Sequence, residues 1–600
     1  MRVAVVAGSG SALLCELAED GSRLHDPVPV KDLPAAVAEY ERAGAVRWVW
    51  ASSARLYPAL LRAGLRVARC HDMELAERLL RSRNGQAGGF AASLPADRAA
   101  GTSSQDALFD PADAAPADLT GALDELITAH AEQLRQIAAD ESPARFGVLV
   151  AAESAGGLVA AEMSFAGLPW SADVHNSLLA GMLGSRPPAV PAGAKPARLA
   201  ELAAAIDEAF GGRRVNPDSP TQLIRAFAAD GVRVPSTRFS VLRDVDHPAA
   251  PLLIEYKELA RMHAAHGWAW LDSWVSGGRF RPEYVVGGVV SGRWASRGGG
   301  ALQIPRVLRR AVVADPGWVL VVADAAQLEP RVLAALAGDH AFAEAAASGD
   351  LYLALAGAFG GDRGKAKIAL LSAMYGGAGG EAGQLLAVLR QRFPLAARYV
   401  EAAARAGQEG HVVKSVLGRT CPPPSAAWRA ITEESGDPDS SRDPGAGAAS
   451  RARGRFTRNF VVQASAADWA IVLLASLRRR LALISVPDAD SGAELPRPAS
   501  APAAASTPAA SVPSAVSVPS AASVPSAASA ASASVTSMAG PHLVFFQHDE
   551  VIVHCPEPVV DAVLAAIGEA GEEAGRLVFG ATPVRFPLTT AVVSCYGDAK

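Results

Sequence analysis

Apolar runs in the second half of the chain predict short strands that carry acidic residues at one end. The β-branched run at residues 319–323 predicts a buried strand that ends at Asp324. Residues 543–553 form two apolar runs around a polar quartet, and they predict a tight hairpin with Asp549 and Glu550 at its tip. If these strands lie side by side, their carboxylates meet at one edge of a sheet.

Carboxylates grouped in this way could hold divalent metal ions. Mg²⁺ prefers hard oxygen ligands and keeps coordination positions open for phosphate and water. Two ions held by Asp324 and Asp549 would suit in-line phosphoryl or nucleotidyl transfer. The alternative is that these acids only cap the ends of their strands, and either segment alone leaves that alternative open.

A third segment, between the two acidic ones, favours the chemical interpretation. Two cations, an apolar residue and an aromatic ring recur every four residues, which places them on one face of a helix. They are Arg363, Lys367, Leu371 and Tyr375. Such a helix could bind a triphosphate at one end and stack a base at the other. The competing interpretation is an amphipathic surface helix, on which Lys and Arg are common.

Together these segments resemble DNA polymerase family A, the DNA polymerase I family, and the resemblance runs from about residue 150 to the C-terminus. Residues 324–331 resemble the first palm motif of the family, residues 363–376 its fingers helix, and residues 547–550 its second palm motif. Shorter similar segments follow the order of the family and lie at residues 219–223, 255–261, 291–293, 303–305 and 455–463. The shared order makes the resemblance specific.

The resemblance implies roles for the residues of the chemical site. Asp324 and Asp549 would be the ligands of two Mg²⁺ ions, which Mn²⁺ could replace, and Glu550 would support them as a neighbouring acid. Arg363 and Lys367 would bind the triphosphate, and Lys367 is also a candidate to protonate the departing pyrophosphate. The other nucleotide-binding positions are Gln327, Glu329, Leu371 and Tyr375. Among these, Glu329 would exclude ribonucleotides by crowding the 2′ position, and Tyr375 would lie near the templating base.

The resemblance also implies a set of residues that bind DNA. These would contact the primer end or the minor groove, where hydrogen-bond acceptors are nearly the same for every base pair. They are Arg293, Gln303, Arg455, Asn459, Gln463 and His548. The implied partners are therefore primer–template DNA and deoxynucleoside triphosphates. The implied function is template-directed addition of deoxynucleotides to a primer 3′-hydroxyl, in DNA repair or gap filling.

Several positions depart from the pattern of the family. Leu371 stands where the family usually has an aromatic residue, so we expect weaker discrimination against altered sugars. Ala325 and Ala326 replace Tyr-Ser, and Pro330 replaces an aliphatic residue. Tyr352 stands where many relatives have a histidine that contacts the phosphates. Since no metal ligand is lost, activity is still expected.

The first 150 residues resemble a 3′-to-5′ exonuclease domain that has lost its metal-binding acids. Residues 51–64 and 71–80 resemble the second exonuclease motif and the helix after it, with Tyr57 at the expected aspartate position. No Asp-x-Glu ends the first apolar strand at residues 3–7, and no Tyr-x-x-x-Asp occurs around residues 129–133. We expect an inactive RNase H-like domain that supports the polymerase structurally.

Composition changes this picture little. The formal net charge of −5 is unusual for a DNA-binding protein, but local arginine clusters at residues 293–310 and 451–458 would supply the phosphate-facing surface. The five scattered cysteines predict neither a disulfide framework nor a zinc site.

Residues 433–453 are expected to form a flexible loop. Residues 498–540, which lack charge and repeat Ser-Val-Pro-Ser-Ala, are expected to be a disordered insert.

The predicted fold is multidomain, α/β and α+β, with an exonuclease-like (RNase H-like) N-terminal domain followed by a right-hand polymerase whose palm sheet is antiparallel. No 5′-nuclease domain is expected, and the protein is expected to be a cytoplasmic monomer without membrane contact. The predicted boundaries are 1–150 for the exonuclease-like domain, 151–290 for the thumb, 291–345 for the first part of the palm, 346–453 for the fingers, 454–497 for the second part of the palm, 498–540 for the insert and 541–600 for the third part of the palm.

Three rival functions stay open at this point. A single-subunit RNA polymerase is disfavoured by Glu329. A catalytically impaired DNA-binding protein is disfavoured by the intact Asp324 and Asp549. A polymerase that retains a working 3′-to-5′ exonuclease is disfavoured by Tyr57.

Overall fold

The computed structural model describes residues 1–44, 46–85, 118–187, 195–347, 349–376, 381–433, 444–486 and 540–599. The predicted insert at 498–540 therefore lies outside the described residues except for Gly540. Residues 434–443 of the predicted loop at 433–453 also lie outside them. The loop prediction is wrong for residues 444–453, which begin a long helix. This stretch is rich in Ala and Arg, which favour helix, and that preference outweighs its glycines.

The N-terminal part of the chain is a sheet covered by helices on both faces. Its five strands have the order β3-β2-β1-β4-β5, with β1 antiparallel to β2 and parallel to β4. Val3 and Val5 of β1 enter one hydrophobic cluster, whereas Ala4 enters another on the opposite face. The elements are β1 (Arg2–Ala7), β2 (Ala12–Leu17), β3 (Val28–Val30), α1 (Leu33–Ala43), β4 (Arg47–Trp50), α2 (Ser53–Arg62), β5 (Arg69–Asp72), α3 (Met73–Arg83) and α4 (Leu119–Ala138).

A helical region follows, together with a small sheet of order β6-β8-β7. Its first helix, α5, continues without a break across the predicted domain boundary at residue 150. The elements are α5 (Pro143–Ala166), β6 (Leu168–Pro169), α6 (Ala172–Leu183), α7 (Ala197–Ala209), α8 (Pro220–Ala229), α9 (Phe239–Leu242), α10 (Ala249–His266), α11 (Trp268–Trp274), β7 (Val275–Ser276) and β8 (Arg279–Phe280).

The remaining elements form a separate antiparallel pair of strands, β9 and β10, an antiparallel sheet of four strands with the order β12-β13-β11-β14, and a set of helices. They are β9 (Glu283–Val285), β10 (Ala295–Arg297), β11 (Trp318–Ala325), α12 (Leu328–Ala337), α13 (His340–Ala347), α14 (Leu351–Ala356), α15 (Arg363–Tyr375), α16 (Glu381–Arg392), α17 (Pro394–Gln408), α18 (Ala426–Glu433), α19 (Pro444–Leu481), β12 (His542–Gln547), β13 (Glu550–Pro556), α20 (Val560–Phe579) and β14 (Leu588–Val593). The predicted boundaries at 345 and 453 fall inside α13 and α19.

Two of these helices, α5 and α19, are long and apolar enough to cross a membrane by length and composition. In the structure, however, 67% of the apolar window of α5 and 89% of that of α19 are buried inside the protein. Trp469 of α19 is completely buried and packs with residues of α5 and of the antiparallel sheet. Both helices are therefore accounted for as core helices.

Candidate active site

The acidic strand ends meet at the edge of the antiparallel sheet. Asp324 of β11 lies directly opposite Glu550 of β13, and the amide of Ala325 donates a hydrogen bond to the carbonyl oxygen of Asp549 at 2.9 Å. The turn between β12 and β13 consists of His548 and Asp549. His548 adopts the left-handed conformation, with φ of 57°, that tight hairpin turns require. The prediction that Glu550 lies at the tip is wrong, because this residue already pairs with Asp324 in the ladder.

Protein groups hold the side chain of Glu550. Residues directly opposite each other on neighbouring strands share one face of a sheet, so Asp324 and Glu550 lie on the same face. The hydroxyl of Tyr596 donates to Glu550 Oε1, and the guanidinium of Arg309 lies 3.9 Å from that oxygen and 4.6 Å from the centre of the Tyr596 ring. Burial, together with the Glu550 carboxylate, raises the pKa of Tyr596. Nothing in the sequence pattern indicated Tyr596, which lies 46 positions from its partner.

The donor atoms at this edge fit a hard divalent cation. Within the described ranges, no group of three or more His, Cys, Asp or Glu side chains is arranged as a complete metal site. Asp324 and Asp549 are nevertheless adjacent across the strand pair, and both offer carboxylate oxygens. Mg²⁺ is commonly bound by one or two carboxylates together with water and substrate phosphates. The chain could therefore supply a part of such a coordination shell, with Asp324 and Asp549 as its ligands.

A cleft of about 190 Å³ lies beside Asp549. The structure brings six of the predicted site residues to its walls, from β12–β13, α12, α15 and the segment before β10. Those six are Arg293, Gln327, Glu329, Leu371, His548 and Asp549. Leu328, Pro330, Tyr352, Ala466 and Ala467 complete the lining. Since these residues come from distant parts of the sequence, only the fold assembles this cleft.

Glu329 is fixed in the cleft from two sides. Arg293 donates to its Oε1 atom and the hydroxyl of Tyr375 donates to its Oε2 atom. Burial, followed by this hydrogen bond to Glu329, raises the pKa of Tyr375 to about 12. Gln463 also hydrogen-bonds the Tyr375 side chain. Both carboxylate oxygens of Glu329 are thus engaged, and the side chain can act as a rigid wall.

The predicted stripe of four residues lies on α15. The helix begins after Asp362, whose carboxylate accepts hydrogen bonds from the amides of Gly364 at 2.7 Å and Lys365 at 3.1 Å. It ends at Gly376, whose φ of 81° favours glycine. Arg363 and Lys367 are exposed, while Leu371 is half-buried at the cleft. The predicted helix is therefore confirmed, and its two cations are exposed to solvent.

Gln327 has a different set of contacts from those the sequence suggested. It is one of the non-glycine residues with positive φ, at 58°, and its amide group bridges β11 to the start of α14. Its Nε2 donates to Asp350 Oδ1 at 2.8 Å, and its Oε1 accepts from the amide of Leu351 at 2.8 Å. Although Gln327 lines the cleft, its polar atoms are engaged by the protein. Its main contribution is to hold Asp350 next to the cleft.

Arg331 is a structural residue of the site whose role the sequence did not show. It is completely buried, and it donates to the carbonyl oxygens of Ala326 at 2.9 Å, Gly349 at 2.7 Å and Arg585 at 3.1 Å. Because a guanidinium keeps its charge, burying it is costly unless its donors are hydrogen-bonded. Arg331 therefore joins the segment after Asp324 to the turn before α14.

The predicted DNA-binding residues lie around the cleft and not at a single point. Arg455, Asn459 and Gln463 lie one turn apart on α19. Gly376, at the end of α15, is so close to this helix that a Cβ atom added to it would lie 3.4 Å from Arg455 Cγ. Gln303 ends a short 3₁₀ segment that is tied to the hairpin, because Gln547 Nε2 donates to the Leu302 carbonyl at 2.5 Å. The helix α19 thus brings one group of DNA-binding candidates to the C-terminal end of α15.

The arginine clusters are less available than the sequence suggested. Arg297 pairs with Glu283 at 3.1 Å, and Arg293 pairs with Glu329. Arg453 donates to the carbonyl of Pro422 at 3.0 Å and lies 5.9 Å from the Trp428 ring centre. Part of each cluster therefore stabilises the fold.

The N-terminal sheet contains no equivalent acidic cluster at the positions compared with exonuclease motifs. Tyr57 is completely buried and its hydroxyl donates to Glu162 at 2.6 Å. Gln133 is buried, and its Oε1 lies 2.9 Å from His71 Nε2. Asp72 caps α3 and accepts from the amide of Ser53 at 2.6 Å. These three positions are occupied by packing and hydrogen bonding inside the domain.

Comparisons with known proteins agree with this geometry. The family model described as DNA polymerase family A matches residues 194–487. The chain is 29% identical over 202 residues to DNA polymerase I of Chloroflexus aurantiacus, which covers 29% of this chain and 21% of that protein. It is 31% identical over 105 residues to the thermostable DNA polymerase I of Thermus filiformis, which covers 16% of this chain and 12% of that protein. The matches thus span about a fifth or less of these curated relatives.

A solved structure is similar over the whole length. It is the POL domain of Pol1 from M. smegmatis in complex with DNA primer-template and dNTP, with a TM-score of 0.65 and 19% sequence identity. The match covers 100% of this chain and 96% of the other. At this identity the likeness establishes a shared fold.

Proposed function

We propose that the chain is a member of DNA polymerase family A and a template-directed DNA polymerase that adds deoxynucleotides to a primer 3′-hydroxyl. The observation that carries the proposal is the juxtaposition of Asp324 and Asp549 at neighbouring strand ends, beside a cleft that also meets the cationic helix α15. Primer–template DNA and deoxynucleoside triphosphates are the proposed partners, since the similar M. smegmatis domain forms a complex with DNA primer-template and dNTP.

The cationic face of α15 would bind the triphosphate. Arg363 and Lys367 are exposed and one helical turn apart, so one extended polyphosphate can meet both side chains. Lys367 would donate a proton toward the departing pyrophosphate oxygen, because its ammonium is the more easily deprotonated of the two cations. Arg363 would stay charged throughout and supply bidentate hydrogen bonds.

Asp324 and Asp549 would hold two divalent metal ions, which we propose to be Mg²⁺. When bound, such ions favour deprotonation of the primer hydroxyl and neutralise charge on the triphosphate. Glu550 would keep the strand pair aligned through its contacts with Tyr596 and Arg309, and it would add negative charge next to the ligands.

Glu329 would select the sugar. Because Arg293 and Tyr375 hold both of its oxygens, the carboxylate cannot turn aside to admit a 2′-hydroxyl without losing a charged hydrogen bond. Leu371 leaves the opposite wall without an aromatic ring, which we expect to weaken contacts to the sugar.

For the N-terminal unit we propose an RNase H-like sheet that supports the polymerase and has no nuclease activity. The strand order β3-β2-β1-β4-β5, with its antiparallel and parallel halves, supports this assignment. Tyr57 and Gln133, at positions where the exonuclease motifs would have acids, are engaged in buried hydrogen bonds. We further propose that the protein acts as a cytoplasmic monomer in DNA repair or gap filling.

Primer extension with Mg²⁺ tests the proposal in three parallel reactions, with deoxynucleotides, with ribonucleotides and without nucleotides. We expect template-dependent growth with deoxynucleotides and little with ribonucleotides. Shortening of the primer without nucleotides would contradict an inactive N-terminal unit. Asp549→Asn should abolish extension while DNA binding persists, and Asp561→Asn, at an exposed acid in the first turn of α20, is the matched control that should extend normally. Full activity of Asp549→Asn would overturn the metal-ligand assignment.

A further inference from the structure

Arg363, the proposed triphosphate-binding arginine, is held by two residues of the α14 segment. Its Nε donates to Asp350 Oδ2 at 2.8 Å, and its guanidinium carbon lies 5.4 Å from the centre of the Tyr352 ring. An aromatic ring at this distance attracts a cation through its quadrupole. The ion pair with Asp350 uses Nε. The two terminal Nη groups of the guanidinium are also hydrogen-bond donors, and they can bind a second anionic partner.

Both partners of Arg363 are themselves fixed. Asp350 caps α14 by accepting from the amide of Leu353 at 3.1 Å, and it also accepts from Gln327 Nε2 at 2.8 Å. Burial alone would raise the pKa of Asp350, but the hydrogen bonds from Arg363 and Gln327 lower it to about 2. Tyr352 is only 7% exposed and belongs to the large core cluster. The ring therefore cannot follow Arg363 if that side chain moves.

Tyr352 also lines the proposed nucleotide cleft, together with Leu371. This position is one of the departures from the family, since many relatives have there a histidine that contacts the phosphates. A neutral phenol cannot form the charge-assisted hydrogen bond of a histidinium, but its ring can hold a neighbouring arginine. A fixed guanidinium loses less conformational entropy when a ligand binds, which raises affinity without a new contact.

We propose that Tyr352 is a positioning residue that acts through Arg363. Its ring and the Asp350 carboxylate hold the guanidinium in a binding-ready orientation, so that this chain recognises the triphosphate by a pre-oriented arginine in place of a direct contact from position 352. The inference rests on the proposed polymerase function. It predicts an effect on nucleotide affinity with little effect on the maximal rate.

Steady-state primer extension with varied deoxynucleotide concentration tests this role. Tyr352→Leu should raise the KM for the nucleotide about threefold, as expected for the loss of one partly exposed cation–π contact, while kcat changes less than twofold. Tyr352→Phe keeps the ring and should restore the wild-type KM. Tyr399→Leu, at a partly buried tyrosine that packs against the same large cluster, is the control and should leave KM unchanged.

A double-mutant cycle separates positioning from general damage to the fold. In an Arg363→Gln background, Tyr352→Leu should change KM by less than about 1.5-fold, because the ring then has no guanidinium to hold. Thermal melting of each variant reports whether it folds. An unchanged KM in folded Tyr352→Leu, or the same threefold change in both backgrounds, would overturn the inference. If the wild-type protein itself does not extend a primer, that result contradicts the proposed function, and it is distinguished in this way from a failure of the inference about Tyr352.

Discussion

The buried pair of Glu162 and Arg478 should control how stably the N-terminal unit stays attached to the rest of the protein. Glu162 belongs to α5 and Arg478 to α19, 316 positions apart, and their side chains are only 6% and 8% exposed. Arg478 Nε and Nη2 lie 3.0 and 2.6 Å from Glu162 Oε1. Arg478 also donates to the carbonyls of Val67 and Ala68, and the Tyr57 hydroxyl donates to Glu162. The pair therefore joins three parts of the chain.

We expect Glu162→Gln to be strongly destabilising. Removing one member of a buried ion pair costs about 3–5 kcal/mol, because the remaining charge stays buried without compensation. Glutamine keeps the shape and one acceptor oxygen, so we expect a value near 3 kcal/mol. For a cooperative unit of about 150–250 residues, 1 kcal/mol changes Tm by roughly 2–4 °C, so the expected decrease is about 6–12 °C. Replacing both partners, as Glu162→Leu with Arg478→Met, removes both buried charges but also takes hydrogen bonds from the Tyr57 hydroxyl and from the carbonyls of Val67 and Ala68, so it should recover only part of this loss.

The effect of Glu162→Gln should not depend on pH near neutrality. Burial would raise the pKa of Glu162, but Arg478 and Arg66 lower it to about 2. A carboxyl whose pKa is lowered in the folded state contributes stability above its unfolded pKa of about 4.3, and this contribution is lost as pH falls toward 2. Between pH 5 and pH 8, the difference in Tm between wild type and Glu162→Gln should therefore stay constant.

Differential scanning calorimetry measures this prediction. Glu572→Gln is the control, because Glu572 and its partner Arg576 are 78% and 66% exposed and such pairs contribute about 1 kcal/mol or less. We expect the control to melt within 2 °C of wild type. A Glu162→Gln protein that melts equally close to wild type would refute the reasoning.

Three further predictions concern the cleft, the insert and the base of the hairpin. Glu329→Ala should increase the use of ribonucleotides relative to deoxynucleotides at least tenfold in kcat/KM, about 1.4 kcal/mol of discrimination, and an unchanged ratio would remove Glu329 as the selecting wall. Deletion of residues 499–537 should leave primer extension within about twofold of wild type, since closing a loop of different length costs little, and abolished extension would contradict this. Burial lowers the pKa of His542 to about 4 and that of His554 to about 3. The unfolded chain then takes up protons that the folded protein excludes, so Tm should fall as pH decreases from about 6.5 to 4, and His554→Phe should flatten this dependence.

The local patterns of the sequence predicted the helix and the strands that carry the candidate site residues. The spacing of Arg363, Lys367, Leu371 and Tyr375 predicted a helix, and α15 spans those residues. Apolar runs predicted the strand that ends near Asp324 and the hairpin whose turn carries Asp549, and these strands are adjacent. The resemblance to family A was confirmed by the family model. Periodicity reports which face of an element is buried, which is enough to place side chains along one helix or strand.

Contacts between distant segments were decided only by the tertiary structure. Glu550 enters the ladder and receives Tyr596, and Asp350 with Tyr352 holds Arg363. Residues 444–453 were expected to be a loop, but they begin α19, since the helix preference of their Ala and Arg residues outweighs the local glycines.

The sequence by itself determined which chemical groups this protein can use, because strand and helix periods depend on near neighbours. The tertiary structure decided which of those groups are fixed by hydrogen bonds and ion pairs, and which residues are their partners. Glu162 and Arg478 illustrate the difference: each reads locally as an ordinary charged residue of an apolar helix, and only the fold buries them against each other. A buried charge requires a partner, but that requirement does not say where in the chain the partner lies.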